Sequence, residues 1–347
     1  MIEANRDARH RAPRLFHAVV AATVLTAAIG ARAQVASPYA IDIPRWFEET
    51  FLNFPEDVRD AARAGKRLMV YFGQDGCPYC RQLMQTNFSQ KSIVDKTRKN
   101  FVAVALNVWG DREVTWLDGR TMPEKEFAQF LKVQFTPTLL FLDEKGRIVV
   151  RLNGYYPPHR FEAAIDYVAG KMEAKRDFGE YMRAAVKEPA SASLHDESFF
   201  LRGPFDLSRR PGARPLAVLF ETPYCAGCDE LHRDAFARTE LRALIARFDV
   251  ARFALSERTR VVTPDGRRMN ADQWARSLGI AYTPSIVFFE SGREVFRAET
   301  YLRYFHLASA FDYVASGAYR TEASFQRFIQ GRAERLREHG ERVDLWR

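Results

Sequence analysis

A chain of 347 residues with 47% hydrophobic and 28% charged side chains has the composition of a globular protein and the length of two domains rather than one. Its formal charge of +8 does not mark a nucleic-acid partner. Arginines alternate with acids even in the C-terminal "GRAERLREHGERVDLWR", the pattern of a solvated helix face rather than a basic stripe.

The chain opens on Arg6, Arg9, Arg11 and Arg14, then the apolar run "LFHAVVAATVLTAAIG" and Ala31-Arg32-Ala33, the layout of a secretory signal peptide with small residues at its cleavage site. The run is shorter than the roughly 20 residues a spanning helix needs and it contains His17. Residues 1–33 are therefore read as a removed leader, with delivery to the periplasm and no stable membrane insertion after cleavage. An uncleaved anchor is the competing reading.

Beyond the leader the chain repeats itself. "LDGRTMPEKEFAQFLKVQFTPTLLFLDEKGR" (117–147) answers "PDGRRMNADQWARSLGIAYTPSIVFFESGRE" (264–294), and "AIDYVAG" answers "AFDYVASG". The offset is 148 at the cysteines and drifts only to 146 at Asp166 and Asp312. Each copy is expected to run from an amphipathic helix into an apolar strand (Leu68 to Phe72; Leu216 to Phe220), then a turn and a helix that starts at a cysteine pair. A second strand ("VAVALNV"; "DVARFAL"), a polar hairpin at Asp-Gly and a helix follow. A strand straight after Thr-Pro, a turn at Lys145-Gly146 or Ser291-Gly292, another strand and a closing helix complete the unit. This alternation predicts an α/β fold of two domains, each a mixed central β-sheet flanked by helices. The boundaries are set at 41–185 for the first domain, 186–214 for a linker and entry segment, 215–320 for the second domain and 321–347 for a C-terminal helical extension.

The four cysteines stand as Cys77-Pro-Tyr-Cys80 and Cys225-Ala-Gly-Cys228. As staples they would be weak, because closing so short a loop removes only about 2 kcal/mol of unfolded-state entropy. Cβ atoms three apart on a helix lie roughly 5–6 Å apart, against about 3.8 Å in a relaxed disulfide, which favours a reducible bond. As zinc ligands the pairs are separated by a complete copy of the fold, far from the usual spacing of about 15–20 residues. A lone helical histidine, His232, is read as solvated rather than as a ligand. The redox reading fits the positions themselves. Cys77 ends a tight loop and opens a helix whose free amides stabilise a thiolate, Pro78 suits the first helical position, and Cys80 can resolve a mixed disulfide. Cys225 and Cys228 repeat the arrangement.

On these residues each half resembles a thioredoxin-fold domain. The likeness is carried by C-P-Y-C or C-A-G-C at a strand-to-helix turn, and by Thr136-Pro137 or Thr283-Pro284, which follow the second cysteine by 57 or 56 residues. It implies a tandem thiol-disulfide oxidoreductase acting on protein disulfides, with Pro137 and Pro284 in cis beside the cysteines and the backbones of Thr136 and Thr283 facing substrate. It implies no organic cofactor and no metal. More narrowly, "YTPSIVFFESGREVFRAETYLRYFHLASAFDYVASGAYRTEASFQRF" is similar to exported thioredoxins of the SoxW type, which implies a periplasmic reductant served by an electron donor such as a membrane thiol reductase.

Two departures from the family pattern matter. The buried acid expected six residues before the first cysteine is replaced by Tyr71 and Leu219, which leaves Asp75 and Glu221 as possible proton acceptors or as solvated loop carboxylates. The Gly-Gly-x-x-Asp glutathione signature is missing around Gly154. Arg81 follows Cys80 whereas Asp229 and Glu230 follow Cys228, so Cys77 is expected to be the more acidic thiol and its disulfide the more oxidising. Electrons would then flow from the second domain to the first. Tyr155, Tyr301 and His306, after the last strand of each copy, could line a substrate groove or serve the core. A peptide-binding or chaperone module, with one or both pairs not turning over, is the alternative from a different functional class.

Overall fold

In the first half the run Arg67-Leu-Met-Val-Tyr-Phe-Gly73 is buried along its whole length, as a strand covered on both faces must be. Leu68, Val70 and Phe72 enter one apolar cluster, while Met69 and Tyr71 enter another that also holds Cys77 and Cys80. This period-two split places one layer of helices on each face of the sheet. The computed structural model describes residues 40–300, 302–343 and 345. The leader and Tyr301 lie outside them.

The first half runs α1 (Phe54–Arg63), β1 (Arg67–Gly73), α2 (Pro78–Gln82), α3 (Lys91–Asn100), β2 (Phe101–Asn107), β3 (Glu113–Thr115), β4 (Thr121–Pro123), α4 (Glu124–Phe130), β5 (Thr138–Leu142), β6 (Ile148–Asn153), α5 (Pro158–Ala169) and α6 (Phe178–Ala185). The second half repeats the plan as β7 (Phe205–Asp206), β8 (Leu216–Glu221), α7 (Ala226–Glu230), α8 (Thr239–Ile245), β9 (Asp249–Ala254), β10 (Arg260–Val262), β11 (Arg268–Asn270), α9 (Ala271–Ser277), β12 (Ser285–Glu290), β13 (Arg293–Ala298), α10 (Tyr304–Ala315) and α11 (Phe325–Glu338). The two main sheets have the same order, β2-β1-β5-β6 and β9-β8-β12-β13. In each, the first neighbour pairs are parallel and the rest antiparallel. Each half is thus a mixed sheet between helical layers, twice over.

One expected element is missing. No helix precedes β8 as α1 precedes β1. The segment before β8 carries Pro189, Pro204, Pro211 and Pro215, which remove amide donors and fix φ against helix, and it forms only β7, paired to β10. A second difference concerns the C-terminus. α11 has a counterpart in the first half, where α6 stands at the same position, Phe178 answering Phe325 at an offset of 147.

The described residues form a single compact unit, and the halves exchange side chains. Phe135 of the first half is buried in the core of the second, its ring 5.4 Å from that of Phe325 and 5.9 Å from that of Phe296. Tyr282, its counterpart, packs on the first half's core beside Tyr156 at 5.2 Å. Gln326 donates to Gln134 O at 2.9 Å and accepts from Gln74 at 2.8 Å. Such reciprocity is the signature of an isologous interface, here within one chain.

Candidate active sites

Both cysteine pairs are closed as disulfides, Cys77–Cys80 and Cys225–Cys228, each with Cα atoms 5.2 Å apart. The first cysteine caps its helix. The Cys80 amide donates to Cys77 Sγ at 3.0 Å and the Cys228 amide to Cys225 Sγ at 3.1 Å. Once the bond is opened, the same amide faces a thiolate and stabilises it. Pro78 opens α2, and each short helix passes into a π-helical turn, Leu83–Asn87 or Leu231–Ala235.

The loops Thr136-Pro137 and Thr283-Pro284 are both cis, and they differ in what their hydroxyls do. Thr136 Oγ1 donates to Cys77 Sγ at 3.3 Å, and Thr136 O lies 3.4 Å from the same sulfur. Thr283 Oγ1 instead shares a hydrogen bond with Thr222 Oγ1 at 3.2 Å. Cys77 therefore has one donor more than Cys225 has.

The proton-acceptor candidates separate sharply. Asp75 is exposed and accepts from the Ile41 amide at 3.1 Å. Glu221 is not a solvated loop carboxylate: it is the last residue of β8 and fully buried. Its Oε1 meets His232 Nε2 at 3.1 Å, and Oε2 has no partner. His232 is not solvated either, being buried on the π-helical turn with Nδ1 3.0 Å from Glu197. Burial alone would lower its pKa, but the hydrogen bonds and charges of Glu221 and Glu197 outweigh burial and raise it. Arg242 completes the chain of charges at 2.8 Å from Glu197. In the first half the matching positions are Gly73 and Met84. A Cβ at Gly73 would lie 2.0 Å from Tyr71 Oη, so the phenol occupies the room that Glu221 takes in the second half. Burial pushes the Tyr71 phenol far above its ordinary range.

Sequence reasoning missed Glu197 and His195 and took His232 for a solvated residue. The signal was present in the self-alignment, where Gly73 becomes Glu221 and Met84 becomes His232 together, a coupled exchange of an uncharged pair for an ionic one. Residues 186–214 supply the rest of that environment. Ser191 N donates to Asp229 at 2.8 Å, His195 pairs with Asp229 at 2.7 Å and stacks on His232 at 4.6 Å, and Tyr224 N donates to Ser191 O at 2.7 Å.

Each pair opens on a cavity lined by the other half. Cys77, about 4% exposed, faces a space of about 160 Å³ bounded by Thr136 and Tyr155 on its own side and by His306, Gln326 and Ile329 of α10 and α11. Cys225, equally enclosed, faces about 470 Å³ bounded by Thr283 and Tyr282, by Arg160, Phe178 and Met182 of the first half, and by Glu188 of the linker. The second cysteines lie behind the first, nearly or wholly buried. This arrangement performs thiol-disulfide exchange. The outer sulfur of each pair borders its cavity and the inner one does not, and the chain carries the arrangement twice.

Comparison with known proteins agrees with this geometry. The model of the thioredoxin-like domain matches residues 54–169 and again 207–315, together more than half of the chain. Among solved structures, the chain is similar to a thioredoxin-fold protein from Helicobacter pylori at 24% identity, covering 40% of this chain and 86% of that one with a TM-score of 0.33. A thioredoxin from Thermus thermophilus matches at 28% identity over 34% and 85%, TM-score 0.27. A putative disulphide-isomerase from Bacteroides thetaiotaomicron matches at 24% over 38% and 93%, TM-score 0.29. No curated protein sequence matches, and the narrower SoxW type is not singled out. With the domain model matched twice around two CxxC disulfides, the chain belongs to the thioredoxin-like domain family.

Proposed function

We propose that this thiol-disulfide oxidoreductase is exported to the periplasm and reduces disulfides of protein clients there, drawing electrons from a membrane thiol reductase or a donor of the same chemistry. The observation that carries the redox reading is the sulfur cap. In both halves the outer cysteine receives the amide of the inner one at a helix start, beside a cis Thr-Pro loop. Cys77 or Cys225, as thiolate, attacks a client disulfide. Cys80 or Cys228 then displaces the client as a dithiol and leaves the CxxC pair oxidised, so two electrons and two protons pass to the client. Thr136-Pro137 and Thr283-Pro284 shape the groove. In the second half Glu221, buried with a free oxygen and linked to His232, takes the proton that Cys228 releases. In the first half Asp75 stands at the cavity rim and has no comparable burial.

Support for export comes from the leader pattern of residues 1–33. Among the described residues no helix is long and apolar enough to cross a membrane. The direction of flow within the chain follows from donors and charges. Thr136 stabilises a Cys77 thiolate, while Asp229 and Glu230, which follow Cys228, oppose one at the second pair, so the first pair is the stronger oxidant and accepts from the second.

Trapping tests the reading. Cys80→Ser and Cys228→Ser variants are expected to accumulate mixed disulfides with client proteins, resolved on non-reducing gels and released by reductant. If neither variant captures a client while both pairs stay oxidised in cells, a peptide-binding role replaces the enzymatic one.

A further inference from the structure

The first cavity contains a group that no sequence motif explains. His306 lies on the first turn of α10, in the second half, yet it lines the Cys77 cavity, with its ring 5.0 Å from that of Tyr79. It is about 7% exposed and its Nδ1 has no hydrogen-bond partner. An unpaired buried nitrogen destabilises the fold, and such a cost is retained where the group has work in another state. The counterpart at an offset of 146 is Arg160, which lines the Cys225 cavity and is tied to Glu188 by two bonds of 2.8 and 2.6 Å. The second site thus carries a fixed, neutralised cation where the first carries a free imidazole.

The surroundings leave that imidazole without a charged partner. The loop before Cys77 presents Asp75, α2 presents Tyr79, the end of β6 leads to Tyr155, and α11 presents Glu334 and Arg337. Burial is the sole cause of the low His306 pKa, about 4, so none of these charges holds a proton on it. While the disulfide is closed, the neutral ring shares its cavity with an uncharged Cys77 sulfur.

We propose that His306, supplied by the second domain, takes up a proton when the first disulfide is reduced, so that a Cys77 thiolate and a His306 imidazolium face each other across the interface. A donor dithiol gives two electrons and two protons as the Cys77–Cys80 bond breaks, and closes to a disulfide itself. Cys80 keeps one proton as a thiol, and the other goes to His306 Nδ1 instead of Cys77. The pair makes Cys77 nucleophilic without the buried carboxylate that serves the second half. His306 is a positioning residue for that thiolate, and the second half is needed to complete the site of the first. The inference rests on the first pair opening and closing as proposed above.

The experiment is an NMR titration of histidine ring resonances in the full chain, oxidised and then reduced with dithiothreitol, with His306 assigned by His306→Gln. The expected result is a midpoint at least about two pH units higher in the reduced protein. In a Cys225→Ser/Cys228→Ser background, iodoacetamide alkylation of Cys77 at about pH 6 should fall about tenfold on His306→Gln and be unchanged at about pH 9, a shift of about one pKa unit in the thiol. A first pair that dithiothreitol cannot open overturns the redox reading and this inference with it. A pair that opens while the His306 midpoint stays the same, or while alkylation is unaffected at both pH values, overturns the inference alone.

Discussion

The two halves share a sheet order, a helix plan and a cysteine motif, yet they solve the problem beneath the motif differently. In the first half an uncharged phenol, Tyr71, occupies the space left by Gly73, and the titratable nitrogen comes from across the interface. In the second half the same space holds Glu221, bonded to His232 and backed by Glu197 and Arg242. One copy therefore keeps its core apolar and borrows a base, while the other buries an ionic chain of its own. The duplication conserved the scaffold that places the sulfurs and let the proton chemistry diverge.

What both halves depend on equally is the exchanged interface, and breaking it should have the largest effect. Phe325 is fully buried between Phe135 of the first half and Phe296 and Tyr313 of the second. Phe325→Ala is expected to cost about 4 kcal/mol, the usual range for truncating a buried aromatic. Denaturant melts followed by tryptophan fluorescence measure it. A loss confined to the second half would show that α11 serves only its own domain.

Removing one partner of the second half's buried pair comes next. Glu221→Ala leaves His232 with Glu197 alone and is expected to destabilise by about 3 kcal/mol, as a broken buried ion pair does. Rebuilding the first half's solution, with Leu219→Tyr, Glu221→Gly and His232→Met together, should recover most of that stability, since an apolar replacement of a buried ionic group is often neutral. The triple variant should still form its disulfide but resolve clients slowly at Cys228, read as longer-lived mixed disulfides. Fast resolution in it would remove Glu221 from the role of proton acceptor.

These contrasts were only partly legible in the sequence. The sheet, the helices and the cap geometry follow from local patterns: continuous apolar strands, Pro78 at a helix start, a Thr-Pro loop at a fixed distance. The interface is not local. Phe135 and Phe325 lie 190 positions apart, and each reads as a core residue of its own half. Glu221 read as a loop acid because β8 was expected to stop at Phe220. The extra residue of strand turns its carboxylate inward, where His232 can meet it. The missing helix before β8 was an expectation carried over from the first copy against a proline-rich segment.

A smaller effect separates the two Thr-Pro loops. A hydrogen bond to a charged group is worth about 1.5–3 kcal/mol, so losing the Thr136 hydroxyl should raise the Cys77 thiol by about one to two pH units. Thr136→Val should therefore slow Cys77 alkylation near neutral pH. Thr283→Val should leave Cys225 where it is, because that hydroxyl serves Thr222. Equal shifts at both sites would erase the difference between the sulfurs, and with it the direction of flow between them.

The smallest expected effect is on stability against pH, where the two buried histidines act with opposite sign. His306, at about 4 in the folded oxidised chain against about 6.5 unfolded, binds fewer protons folded than unfolded between those values. Stability from it is therefore lost on acidification. His232 is raised, because Glu221 and Glu197 outweigh its burial. Its contribution is complete below about 6.5 and is lost as pH rises through its folded value. Between about pH 7 and 5.5, His306→Gln should lose about 1 kcal/mol less stability than the oxidised parent, and His232→Gln should lose more than the parent. Melting the reduced protein sharpens the comparison. In the reduced chain the Cys77 thiolate of the proposed pair binds fewer protons folded than unfolded, so the acid loss remains, now carried by the thiolate, and His306→Gln should again lose less stability than its parent.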